Sequence, residues 1–164
     1  MSRKNFVRGV CLSLLLMIFA MTGAVAQMPN PYGPAISLEN AKKAAASALA
    51  EAAKNSWRVA VAIVGPAGTL IYYEKMDNTQ LGSAEVAVDK ARTAALFKRP
   101  TKAFQDVLAG GGDGLRVLTL KGVVAVEGGI PLVMDGKIVG AIGVSGATSA
   151  QDAQCAKAGG DTVK

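Results

Sequence analysis

The sequence predicts an α+β fold: an antiparallel sheet of about five strands flanked by helices. Three observations carry this. Two long stretches, Leu38 to Lys54 and Ser83 to Lys98, repeat small apolar residues at helical spacing. Two pairs of short apolar runs are separated by turn residues, Gly65-Pro66-Ala67-Gly68 and Asp135-Gly136. The runs come in hairpins instead of alternating singly with helices, which is the pattern of an antiparallel sheet.

Each element has its own grounds. Residues 27–36 hold three prolines and a glycine, so they form no helix and read as a tether. Ser37 is placed to cap the first helix, Leu38 to Lys54, whose residues are almost all Ala, Leu, Glu and Lys. In Trp57 to Val64, Val59, Val61 and Ile63 alternate with Arg58 and alanines, as in a strand with one buried face. Thr69 to Met76 is the return strand of the hairpin. Ser83 to Lys98 follows as the second long helix, with Glu85 and Asp89 near its start and Lys98 and Arg99 at its end, as the helix dipole favours. Pro100 stops it, and Thr101 starts a short helix through Leu108. Gly110 to Gly114 is a flexible connection. Val123 to Val126 reads as a short strand, ended by Glu127-Gly128-Gly129. Pro131 to Met134 and Lys137 to Val144 flank Asp135-Gly136, a strong hairpin signal. Gly140 and Gly143 in the last strand point to the close approach of a helix, a ligand or a neighbouring subunit. Ser149, with Asp152 three residues on, caps a final helix to Ala158. The layout is profilin- or PAS-like.

Composition narrows the function. The chain has 164 residues, enough for one domain; it is 51% hydrophobic and 18% charged, which excludes a disordered polar chain. With aromatics at 5%, a platform for single-stranded nucleic acid is not expected. Histidine is absent, so Ser-His-Asp and Cys-His triads, histidine zinc sites and a proximal-histidine haem are excluded.

The first 26 residues read as a secretory leader. Arg3, Lys4 and Arg8 precede an apolar run from Val10 to Ala20, and Ala24-Val25-Ala26 is a cleavage site. The expectation is a periplasmic or secreted product beginning at Gln27, with no stable membrane anchor. Of 18 basic and 12 acidic residues, the three in the leader would be lost, leaving a mild charge of about +3 and no basic face for nucleic acid. Cys11 would be lost too, so Cys155 has no intramolecular partner.

Few motifs survive scrutiny. Gly143-Val144-Ser145-Gly146-Ala147 lacks the final glycine of a nucleophile elbow, and no histidine could serve it. Gly110-Gly111-Gly112-Asp113-Gly114-Leu115-Arg116 is no phosphate loop, because no Lys-Ser/Thr follows. Ser145 to Ser149 lies between a strand and a helix start, where free amides favour a carboxylate or phosphate. Tyr72, Tyr73 and Met76 are the favoured iron ligands if haem binds, and alternation puts the two tyrosines on opposite faces. Glu85, Asp89 and Glu127 are too scattered for an acid–base pair, and no metal site is predicted.

Three stretches taken together, SLENAKKAAASALAEA, SAEVAVDKARTAALFKRPTKAF and GVVAVEGGIPLVMDGKIVGAIGVSGATSAQDAQCAKAG, resemble the GlcG/HbpS family, over roughly residues 37–164. This is the haem-binding, haem-degrading domain family also found at the C-terminus of PduO-type adenosyltransferases. The resemblance implies an antiparallel sheet flanked by helices, homo-oligomers, and a haem or corrinoid ligand. Family binders can use a histidine. Here haem iron would need Tyr, Met, Cys or Lys, or the porphyrin would be held without a strong axial ligand. The expectation is an exported small-molecule-binding homo-oligomer, with haem or another tetrapyrrole as the leading ligand. The alternative is a periplasmic accessory module, or a lyase- or isomerase-like enzyme, acting on a small anionic catabolite. The expected ligand site is where Glu127, Gly128 and Gly129 meet Ser145 and Gly146. Arg92 would supply the buried positive charge there.

Overall fold

The computed structural model describes residues 29–164, and the leader expected over 1–26 lies outside them. The elements are α1 (Leu38–Lys54), β1 (Ala60–Val64), β2 (Leu70–Lys75), α2 (Ser83–Leu96), α3 (Thr101–Ala109), a 3-10 turn (Gly112–Thr119), β3 (Gly129–Met134), β4 (Lys137–Ser145) and α4 (Ser149–Gly160). One antiparallel sheet runs in the order β2-β1-β4-β3. The fold is α+β as expected, with four strands in place of about five.

The missing strand is Val123 to Val126. Its backbone is already bonded to helix side chains. The Val124 amide donates to Thr93 Oγ1 at 2.9 Å, and the Glu127 amide donates to Gln105 Oε1 at 2.8 Å. Thr93 Oγ1 in turn donates to the Gly122 carbonyl. A chain tied down this way presents no ladder to a neighbouring strand.

The two central strands, β1 and β4, are buried on both faces, and the sequence sorts their residues by size. Val59, Val61, Ile63, Ile142 and Val144 pack with α1 and α4, whose contact stripes are Ala41, Ala44, Ala45, Ala48 and Ala52, and Cys155 and Ala156. On the other face Ala60, Ala62, Val64 and Ala141 meet Ala87, Ala91, Ala94 and Ala95 of α2. So β1 is buried along its whole length, not on one face only. The alanines on its second face let α2 come close. Gly143 carries this furthest. A Cβ there would run into the Ala87 carbonyl and the Ala91 backbone, so the approach foreseen at this glycine is that of a helix.

Termini and turns follow local chemistry. Ser37 Oγ accepts from the Asn40 amide at 3.2 Å and caps α1. Asp135 and Gly136 both take positive φ, 49° and 71°, as the two-residue hairpin needs. The last helix is capped by Thr148, not Ser149. The Thr148 amide donates to Gln151 Oε1 in a capping box, which leaves Asp152 for another task. α2 ends at Leu96, so Lys98 and Arg99 stand beyond it.

The segment before α1 is extended, as its prolines require, and is fastened to β4. Ile138 donates to the Pro31 carbonyl, Gly33 donates to Ile138, and Ile36 donates to Val139, all within 2.8–2.9 Å. The Tyr32 hydroxyl reaches the Ala95 and Leu96 carbonyls at the end of α2, and Lys98 lies 4.2 Å over its ring. Among the described residues no helix is long and apolar enough to cross a membrane.

Candidate functional site

The two glycine-bearing breaks do meet, and an ion pair already fills the junction. The Val144 amide donates to the Gly128 carbonyl at 2.9 Å, and Gly129 pairs with Gly143 across the ladder. Between them lies Lys90 of α2, 1% exposed. Its ammonium donates to Asp152 Oδ2 at 2.8 Å and to the Val144 carbonyl at 3.0 Å. Asp152 Oδ1 accepts from the Ala147 amide at 3.0 Å. Burial pushes the Asp152 carboxyl above the usual carboxylate range, against the pull of Lys90 and of the Ala147 and Gly146 amides.

Gly128 holds φ +126°, and a Cβ there would strike the Val144 carbonyl, the Asp152 side chain and the Lys90 ammonium. Gly146 is similarly pressed against the Arg58 carbonyl. The anion expected on the amides after β4 is therefore the chain's own carboxylate. Ser145 is buried at the end of β4, and Glu127 is half-buried with its amide held by Gln105.

Arg92 is not the buried cation. Its side chain is 46% exposed, contacts Asp89 at 3.5 Å, and donates from Nε to the Gly68 carbonyl at 3.3 Å. The turn of the first hairpin holds it, and no salt bridge joins it to Glu127. α2 directs Arg92 outward because Ala87, Lys90, Ala91 and Ala94 occupy the inward stripe.

The tyrosines fall on opposite faces, as alternation requires: Tyr72 with the α1 layer and Tyr73 with the α2 layer. Tyr72 donates to Glu74 Oε2 at 2.6 Å, and this bond holds its phenol above the ordinary tyrosine range. Burial raises the Tyr73 phenol as well, and its hydroxyl has no hydrogen-bond partner among the described residues. Both shifts oppose the phenolate that iron ligation needs. Met76 packs half-buried against the α1-side core.

A cleft does exist, elsewhere. It encloses about 330 Å³ between α3 and the 3-10 turn, with walls of Ala103, Phe104, Val107, Val117 and Leu120. Arg99, Arg116 and Thr119 complete it. Gly111, at φ 63°, turns the chain back so that the 3-10 segment lies against α3. Arg99 is positioned from two sides. Its Nε donates to the Phe97 carbonyl at 3.1 Å, and its guanidinium lies 5.5 Å over the Phe104 ring. Phe104 itself meets Phe97 edge-on at 5.4 Å. Among the described residues the other guanidinium N–H groups of Arg99 have no hydrogen-bond partner, and neither Arg99 nor Arg116 has a carboxylate within salt-bridge distance. Val107, Leu115, Leu118 and Leu120 add exposed apolar surface on the same two elements. Two guanidiniums without a carboxylate partner among the described residues, beside an apolar wall, can take a flat apolar body with carboxylate groups at one edge.

A second cleft, of about 540 Å³, lies at the β3 edge between Pro131 and Asp161. Its Asp161 is already paired with Lys157 at 2.6 Å.

Sheet order and helical layers define a small single-sheet α+β class of protein. Within it, residues 36–161 match the model of the haem degrading protein HbpS-like family, and the chain belongs to that family. Protein GlcG of Escherichia coli is 41% identical over 110 residues, covering 67% of this chain and 81% of that one. The HbpS double mutant of Streptomyces reticuli superposes with a TM-score of 0.74 at 30% identity, covering 88% of this chain and 94% of that one. The PduOC–haem complex gives 0.72 at 30% identity, covering 79% and 96%.

Proposed function

We propose that this chain is an exported protein that binds a haem-type tetrapyrrole in the cleft between α3 and the 3-10 turn. The observation that carries the reading is the pairing of an apolar wall, Val107 and Leu120 over the buried Phe104, with two guanidiniums that have no carboxylate partner among the described residues. Tetrapyrroles with propionate side chains have the matching form, a flat apolar ring with two anionic groups on one edge. Membership of a haem degrading protein family and likeness to a haem complex support the same ligand class. When bound, haem supplies a redox-active iron. The chain's own residues supply the apolar floor, the anion clamp and exclusion of water from one ring face. Export rests on the leader pattern of residues 1–26. Exposed Leu115 and Leu118, beside the cleft, support self-association of the chain.

The test is a haemin titration of the untagged protein, followed by the Soret band. A saturable shift with a fixed stoichiometry per chain is expected. Absence of any saturable change up to high micromolar haemin would overturn the reading.

A further inference from the structure

We infer that the cleft recognises the dianionic macrocycle itself and not its iron, so that metal-free porphyrin dicarboxylates are ligands as good as haem. This rests on the tetrapyrrole reading above and sharpens it. Of the lining, Ala103, Phe104, Val107, Val117 and Leu120 offer no donor to a metal, the arginines are cationic and do not ligate, and the Thr119 hydroxyl, a weak neutral donor, is already bonded to the Arg116 carbonyl at 2.7 Å. The chain as a whole has no histidine. The three residues favoured as iron ligands, Tyr72, Tyr73 and Met76, lie elsewhere, on or just after β2, and both phenols there are shifted away from ionisation.

What the cleft does offer is aimed at carboxylates. Arg99 is fixed by the Phe97 carbonyl and by stacking on Phe104, so little side-chain freedom remains to be lost when it binds an anion. Arg116 comes from the opposite wall and supplies the second clamp. Val107 and Leu120, exposed over the buried Phe104, give the ring face an apolar surface that any porphyrin covers, metallated or not. Affinity then follows the number of propionates and the area of the ring, both unchanged when the iron is removed.

The experiment compares three probes on the untagged protein: haemin, metal-free protoporphyrin IX, and its dimethyl ester, which keeps the ring and loses both charges. Each is titrated into wild type and into a chain with both R99Q and R116Q, with circular dichroism and thermal melting as the check on folding. Haemin and the free-acid porphyrin should bind within about threefold of each other, and the ester about tenfold or more weaker, the scale of one or two charge-assisted hydrogen bonds. The double substitution should weaken both acids about tenfold and leave the ester unchanged. Haemin bound about tenfold or more tighter than the metal-free acid would overturn this inference, because iron would then carry affinity, while leaving the tetrapyrrole reading intact. Unchanged affinities in a folded R99Q/R116Q chain would remove the clamp from the site. Failure of all three probes to bind would end both proposals.

Discussion

Two corners of this molecule handle charge in opposite ways. Where α2 crosses the ends of β3 and β4, Lys90 and Asp152 are buried, bonded to each other and to the backbone, and wrapped by glycines that admit no side chain. Where α3 meets the 3-10 turn, Arg99 and Arg116 stand beside exposed leucines with no carboxylate partner among the described residues. The first corner is finished and holds the fold. The second is incomplete in charge and in apolar cover, which is the condition of a surface that binds something. The stretches that carry the family resemblance most plainly, DKARTA, EGGIP and GVSGATSAQD, build the first corner. A recognisable motif here reports a closed structural joint, and the proposed ligand cleft lies in the plainer sequence beside it.

The comparison breaks most visibly at Lys90. Lys90→Met should lower the unfolding free energy in urea by about 3–5 kcal/mol, because Asp152 would be left as a buried carboxylate without its partner. Adding Asp152→Leu should restore a large part of that loss, since an apolar pair has no charge to desolvate. Porphyrin affinity should be unchanged in any folded member of the series. A loss below about 1 kcal/mol for Lys90→Met would mean that the corner is not closed as described.

Gly143→Ala comes next. Its methyl group would enter the Ala87 carbonyl, and α2 would have to lift from the sheet, at a cost of about 3 kcal/mol in chemical denaturation. Gly82→Ala is its control, because a Cβ there meets nothing within 4 Å. That change should be near neutral.

Cys155, in the same closed corner, gives the pH dependence. Burial first, then the charges of Asp152 and Glu51, push its thiol up to about 11 from an ordinary 9. The unfolded chain therefore releases this proton sooner than the folded one. Its contribution is complete below about pH 9 and is lost as pH rises toward 11, amounting to at most about 2–3 kcal/mol. Tyr72 and Tyr73, both shifted upward, act in the same direction. Urea midpoints from pH 8 to 11 should fall in wild type and fall less steeply in Cys155→Ala. A thiol probe should react with the native protein only as fast as it opens.

The smallest effects on stability belong to the open corner. Arg99→Gln and Arg116→Gln should each move the unfolding free energy by less than about 0.5 kcal/mol, as surface substitutions do. Their consequence should appear in binding alone.

How much of this was readable beforehand differs between the corners as well. The bounds of α1 and the Asp135-Gly136 hairpin follow from spacing and turn chemistry, whereas Gly143 signals a close approach without saying whether a helix, a ligand or a subunit makes it. Val123 to Val126 misleads because its apolar run looks like a strand, while its amides are claimed by Thr93 and Gln105, side chains over twenty residues away. The buried pair left a signal that sequence reasoning passed over. Lys90 falls in phase with Ala87, Ala91 and Ala94, and Asp152 with Cys155, Ala156 and Gly159, so each charge sits on the apolar stripe of its helix. Arg92, next to Ala91 in sequence, falls off that stripe and stays at the surface. Arg99 and Arg116 carry no such mark. Only the fold of the glycine-rich connection between them brings both to one cleft.

The most direct test of the account is an amide NMR titration of the folded, untagged protein with metal-free protoporphyrin IX. Shifts should concentrate in residues 99–120, on both walls of the cleft, and leave Gly128, Gly146 and Ala147 in place. Shifts centred on those three residues, or on Tyr72, Tyr73 and Met76, would contradict the division of the molecule into a closed corner and a binding one.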